Sequence, residues 1–270
     1  MSPGTISALS GVKALTLDVF GTIVDWRTSV TEELYLRAFR KRSADISVEL
    51  KTRIELLTED DWGRFAQAWR DAYSNINRTF NPDRDTWKTA DKHYLDILIR
   101  LLDDWDLMGL YSDMELESLS LVWHRLKPWD DAPDGLAALA RRGLTLATLS
   151  NGNTAQMRDL DDFGALGFQR IFSADTFRAY KPSPVMYLGA ARELGLEPGQ
   201  IAMVACHMYD LEAARGHGFR TIYVERPREE AWPTDGEKYQ RAREWVDLWV
   251  TEDEDGFETV ARKLGELTGN

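Results

Sequence analysis

The sequence predicts an α/β protein, a doubly wound, mainly parallel sheet with a helical domain inserted after its first strand. Three observations predict it. From residue 128 onward, short apolar runs alternate with helical patterns, as right-handed βαβ units require. One apolar run, residues 12–20, stands apart near the N-terminus and is followed by helical periodicity from 28 to 127. Each of four runs or turns also ends in a polar cluster, and ligands of such sheets bind at the carboxyl ends of strands. The core is therefore expected at 1–27 and 128–270, and the helical domain at 28–127.

The elements follow in order. "VKALTLDVF" (12–20) is apolar and partly β-branched, as a buried parallel strand should be. The stretches "TSVTEELYLRAFRKR", "DDWGRFAQAWRDAYSNI" and "TWKTADKHYLDILIRLLDDW" space apolar residues by three and four, which predicts amphipathic helices. "RTFNPDRDT" (78–86) is the polar break between two of them. Beyond "KPWDDAP" (127–133), "DGLAALARRG" is a helix ended by Gly143. "LTLATLSNGN" is a strand running into a polar loop, and "FQRIFSADTF" holds another short strand. "KPSPVMYLGAARELGL" is a helix entered through Pro184. "QIAMVACHMYDLEAARGHGF" reads strand, loop, helix, and "RTIYVER" and "EWVDLWV" read as two more strands. The four polar clusters are Asp18, "SNGN" (150–153), "YKPSP" (180–184) and "CHMYD" (206–210). They should converge on one crevice, with the inserted helices as a lid.

Composition limits the function. The chain has 270 residues and a net charge of −12, which disfavours tight binding to nucleic acid or anionic membrane. Its one cysteine, Cys206, can form neither an intramolecular disulfide nor a thiolate metal cluster. No apolar run approaches the roughly 20 residues that span a bilayer, and no signal-like leader opens the chain. A soluble, cytoplasmic protein is expected.

Taken together, the four clusters resemble the haloacid dehalogenase superfamily: Asp18 with Thr22, Ser150 with Asn151, Lys181 before Pro182, and an acidic loop ending at Asp210. They span residues 18 to 210 in the family's order. "DVFGT" without a second acid, together with "LSNG", is similar to the L-2-haloacid dehalogenase branch. The resemblance implies a Rossmann-like core with a helical cap and no cofactor or metal. It also implies a small halogenated carboxylic acid and water as reactants. The family is often dimeric, so a homodimer is the assembly it suggests.

It also implies roles. Asp18 is the expected nucleophile, forming a covalent ester; a strand-end carboxylate capping a turn is the plainer alternative. Lys181 should hold Asp18 ionised, and Thr22 should position it. Phe20 stands where the family's phosphatases carry a proton-donating Asp. An alkoxide leaving group needs that proton, whereas a halide, a weak base, does not. Cys206 stands where those phosphatases place a first acid for Mg²⁺, and Asp210 beside Lys181 makes a poor magnesium site. Asp210 is expected to orient or activate the ester-cleaving water, or simply to cap the following helix. The family's usual last loop, "SxNxxD", here reads Ala205 to Asp210 with His207 in place of Asn. His207 is expected as a donor to halide or substrate, or as a base. Arg70 in "FAQAWRDAY" and Asn151 are the expected halide donors. Trp87 and Tyr187 match pocket aromatics, and Ser150 should contact Asp18 or the substrate carboxylate. Arg70 could equally be a surface charge, and Trp87 a core residue. Fluoride, the poorest leaving group but the strongest acceptor, would suit a small pocket of Arg70, His207 and Trp87. Rivals are a phosphatase or other small-acid hydrolase of the same fold, and a non-catalytic relative. The acidic, Trp-rich stretch 230–256 carries no evident chemistry; an edge strand, a flap or a dimer contact would each fit it.

Overall fold

A computed structural model describes residues 6–268. The chain divides into two compact units, one of residues 1–24 with 128–270 and the other of residues 25–127.

The first unit is built on a six-stranded parallel sheet. Its strands are β1 (Ala14–Leu17), β2 (Thr145–Ser150), β3 (Arg170–Ser173), β4 (Ile201–Ala205), β5 (Arg220–Val224) and β6 (Leu248–Val250), in the order β3-β2-β1-β4-β5-β6. Every neighbouring pair is parallel. β1 and β4 are buried at every position, as strands covered by helices on both faces must be. Progress along the chain reverses direction across the sheet between β1 and β4, and a crevice opens at the carboxyl ends of strands at such a point. Leu17 pairs with Thr148 on one side and Val204 on the other. The residues just beyond these three strands therefore start side by side.

One face of the sheet packs Leu149, Met203, Tyr223 and Trp249 against Met186 and Tyr187 of helix Pro184–Leu194 and Leu211 of helix Met208–Gly216. Tyr239 and Val246 from the Trp-rich stretch join this core. That stretch supplies helix Glu237–Ala242 and the edge strand β6, which is shorter than "EWVDLWV" suggested. Elsewhere in this unit, helices Ala132–Arg141 and Gly256–Thr268 meet so closely that a Cβ on Gly135 would overlap the backbone of Phe257.

The second unit is helical: Trp26–Lys41, Val48–Leu56, Glu59–Thr79, Ala90–Asp104 and Asp113–Ser120. Side-chain oxygens of Asp25, Ser47, Thr58 and Thr89 cap four of these helices. Trp62, Phe65, Ala66, Trp69 and Tyr73 fall on one face of the long helix and are buried. Trp69 meets Trp123 edge-on at 5.5 Å, and Trp123 stacks on Tyr94 at 4.5 Å. Trp87 lies in the irregular segment before Ala90 rather than at the start of that helix, and it meets Phe80 edge-on at 5.5 Å. No helix among the described residues is long and apolar enough to cross a membrane.

Candidate active site

Asp18 follows β1 directly. Its N–H donates to the Val204 carbonyl at 3.0 Å, so the strand's pairing carries on to the residue that leaves the sheet. A tight turn then reverses the chain. Ile23 donates to Val19 at 2.9 Å, and Gly21 donates to Val24 at 3.0 Å. Gly21 holds φ +86°, a conformation that disfavours any residue with a Cβ. The turn brings Thr22 back over Asp18, and its Oγ1 donates to Asp18 Oδ2 at 2.7 Å. The same oxygen accepts the Cys206 N–H at 3.0 Å, tying the first strand's turn to the last polar loop.

Lys181 Nζ donates to Asp18 Oδ1 at 2.8 Å and also pairs with Asp210. Tyr187 completes this chain, its hydroxyl donating to Asp210 Oδ1 at 2.7 Å. All four groups are buried. Burial alone would raise the Asp18 carboxyl, but the Lys181 ammonium and His207 outweigh it and hold it well below the usual carboxylate range. Burial opposes the charge on Lys181 too, yet Asp18 and Asp210 push its pKa above the ordinary lysine value. Asp210 moves opposite to Asp18. Burial and the neighbouring Asp18 charge raise it, against Lys181 and Tyr187.

His207 is the third partner of Asp18. Its Nδ1 lies 3.2 Å from Asp18 Oδ2, and its Nε2 lies 3.3 Å from Glu229 Oε2. The ring is 6% exposed. Burial disfavours the imidazolium, but the Cys206 and Tyr209 side chains and the bond to Asp18 favour it, and the net direction is well above the usual histidine value. At neutral pH, Asp18 supplies the negative charge, because burial pushes the Cys206 thiol up.

Sequence reasoning missed Glu229. It lies beyond the carboxyl end of β5, where the rule used for the other clusters applies equally, but no motif marks it. The segment around it is fixed: the Glu230 carboxylate accepts the N–H of Met208 at 2.8 Å and of Trp232 at 2.7 Å.

The remaining expected residues are placed as follows. Asn151 clasps the Lys181 backbone, its Oδ1 accepting the N–H at 2.6 Å and its Nδ2 donating to the carbonyl at 3.3 Å. It thereby sets the stem from which the Lys181 side chain departs. Ser150 is buried, and its Oγ accepts the Gly152 N–H at 3.2 Å. Phe20 is buried with its ring edge against Gly152, where an added Cβ would come within 3.0 Å. Arg70 and Trp87 belong to the helical unit, where the Arg70 guanidinium lies over the Trp26 ring at 5.8 Å.

Comparison with known proteins places this geometry. The family model for haloacid dehalogenase-like hydrolases matches residues 12–218. The chain belongs to the haloacid dehalogenase-like hydrolases. The (S)-2-haloacid dehalogenase of Pseudomonas sp. strain YL is 30% identical over 218 residues, 80% of this chain and 83% of that protein. Among solved structures, an L-2-haloacid dehalogenase aligns with TM-score 0.76 at 30% identity, over 94% of this chain and 99% of its own. A defluorinating L-2-haloacid dehalogenase aligns with TM-score 0.75 at 30% identity, over 94% and 95%.

Haloacid dehalogenase-like phosphatases hold Mg²⁺ at this end of the sheet, and the donor set here is of a different kind. Asp18, Cys206 and His207 bring one oxygen, one sulfur and one nitrogen within 4.8 Å of one another. Mg²⁺ demands an octahedron of oxygens. The second oxygen of Asp18 and the nearer oxygen of Asp210 are already engaged by the Lys181 ammonium. This set does not fit Mg²⁺.

Proposed function

We propose that the protein hydrolyses short 2-haloalkanoic acids to 2-hydroxy acids, without a metal, through an ester on Asp18. The single observation that carries this reading is a buried Asp18, held ionised by Lys181, with Phe20 in the place of a proton donor.

An Asp18 oxygen attacks C2 from the side opposite the halogen, and the configuration inverts. Lys181 and Thr22 keep the carboxylate charged and aimed. The halide leaves with its electron pair and needs no proton. Water then attacks the carbonyl carbon of the Asp18 ester, which restores the carboxylate and frees the hydroxy acid. Asp210 steadies Lys181 between two carboxylates, and Tyr187 and Asn151 hold those two residues in turn. Backbone N–H groups after Asp18 and the Ser150 loop are the proposed seat of the substrate carboxylate. For Arg70 and Trp87 as halide partners, the support is the resemblance of their motifs. A defluorinating relative at 30% identity makes fluoroacetate a substrate worth assaying. Tyr35, Leu36 and Phe39 are exposed together on helix Trp26–Lys41, in keeping with a homodimer, which light scattering on the purified protein would test.

The test is chloride release from (S)-2-chloropropionate in the presence of a chelator. Wild type should release chloride and Asp18→Asn should not. Mg²⁺-dependent hydrolysis of nitrophenyl phosphate without chloride release would overturn the reading.

A further inference from the structure

The sequence points to Asp210 for activating the water that cleaves the ester, but Lys181 and Tyr187 engage both of its oxygens. We propose that His207, held by Glu229, is the base for that water.

Hydrogen-bond bookkeeping leads there, given the Asp18 ester. Carboxylates only accept. His207 faces one on each side, so both ring nitrogens donate and the resting ring is an imidazolium. When an Asp18 oxygen bonds C2, the carbon–halogen bond breaks and its electron pair goes to the halide. Asp18 loses its charge. The imidazolium loses the anion on its Nδ1 side and sheds that proton to solvent alongside the halide. Nε2–H stays on Glu229, so the Nδ1 lone pair faces the ester. Water oxygen then bonds the Asp18 Cγ while Nδ1 takes one water proton. As the tetrahedral carbon collapses, the bond to the product oxygen breaks. That oxygen takes the proton of the newly formed carboxyl group. Asp18 is a carboxylate again, His207 an imidazolium, and the cycle has released one halide and one proton.

The alternatives nearby are occupied or inert. Both oxygens of Asp210 are engaged, by Lys181 and Tyr187. The Cys206 thiol is buried with its pKa pushed up. Ala205 has no polar side chain, and Tyr209, the other group facing the ring at 5.3 Å between centroids, is 44% exposed. The site is also shaped around Glu229. A Cβ on Gly21 would overlap its carboxylate, and Glu230 pins the segment to the Met208 N–H. Glu229 is thus a positioning residue, acting through His207 on the reacting atoms.

The experiment compares His207→Gln, Glu229→Gln and Glu229→Asp with wild type on 2-chloropropionate. Chloride release in the first turnover and the mass of the intact chain are followed together. Ester hydrolysis should fall roughly 100-fold in His207→Gln and roughly tenfold in Glu229→Gln. Each loss should exceed the loss in first-turnover chloride release, so that ester builds up on Asp18, and Glu229→Asp should recover part of it. The hydrolysis step of wild type should rise with pH as His207 in the ester form gives up its proton. In Glu229→Gln that limb should move to lower pH, because the cation has lost an anionic partner; a purely structural role would lower the rate without moving it. Chloride release with no ester build-up in any folded variant, or an unmoved limb, overturns this inference alone. No chloride release from wild type overturns the dehalogenase reading beneath it.

Discussion

Asp18 sits where burial would neutralise an ordinary carboxylate, and two cations prevent it. The consequence is a nucleophile that stays ionised far into acid. Replacing Lys181 with Met removes the larger attraction and leaves burial to act, so the Asp18 pKa must rise. First-turnover halide release should then fall by roughly 10²- to 10³-fold at neutral pH. It should also acquire an acid limb that wild type lacks between pH 4 and 7, a window set by the ~3.9 of an unperturbed Asp. Stopped-flow halide release against pH measures both, and superimposable profiles would refute the role of Lys181. The same residues show what was legible beforehand. Asp18, Thr22, Lys181 and Asp210 announce themselves because short motifs at strand ends fix both residue type and place. Asn151 was legible as a site residue, but its bonds to the Lys181 backbone were not, since they depend on how two loops meet.

At the scale of elements, the turn after β1 is braced from below. Arg226 donates through Nε to the Thr22 carbonyl at 3.1 Å and makes a two-pronged pair with Asp131 at 2.6 and 2.8 Å. Its guanidinium lies over Trp129 at 5.2 Å, and Trp129 in turn donates to the Gly21 carbonyl at 2.8 Å. Arg226→Ala leaves the half-buried Asp131 carboxylate with only the Phe257 N–H as a partner and should cost about 1–3 kcal/mol in denaturant unfolding. It should also lower activity, because Thr22 loses a support. An unchanged unfolding midpoint would show that the pair is idle. Gly135→Ala tests the close approach of helices Ala132–Arg141 and Gly256–Thr268. Overpacking there should cost about 1–3 kcal/mol, whereas a solvent-facing helix would gain from alanine. The sign alone decides. Neither contact was legible, because Arg226 and Gly135 lie in no motif and their partners are far along the chain.

At the scale of the whole molecule, the strand order and the long helical stretch followed from periodicity, which is a local signal. The Trp-rich stretch was opaque because its burial depends on Tyr223 and Met203, residues on other strands. Glu229 was missed for a related reason: its partner His207 precedes it by 22 positions and one strand. The buried charges at the site also bear on stability. The Asp18 pKa is lowered in the folded state, so its contribution is present above the unfolded value and is lost only as pH falls through the folded one. The raised Lys181 contributes below its unfolded value and loses that only in strong alkali. His207 is also raised, so its contribution is complete below about pH 6.5 and declines as pH climbs through the folded value. Thermal unfolding should therefore weaken from pH 6.5 upward more in wild type than in His207→Gln. Parallel curves would mean that the ring is neutral in the resting fold.

The central claim is a covalent ester on Asp18, and one measurement addresses it most directly: a single turnover of 2-chloropropionate in ¹⁸O-water with protein in excess, followed by mass analysis of the peptide that carries Asp18. Label should enter the Asp18 carboxylate, because water attacks its carbonyl carbon, and the first molecule of lactate should be unlabelled. Label in the lactate with none in Asp18 would mean that water attacked the substrate directly, and the account would be wrong.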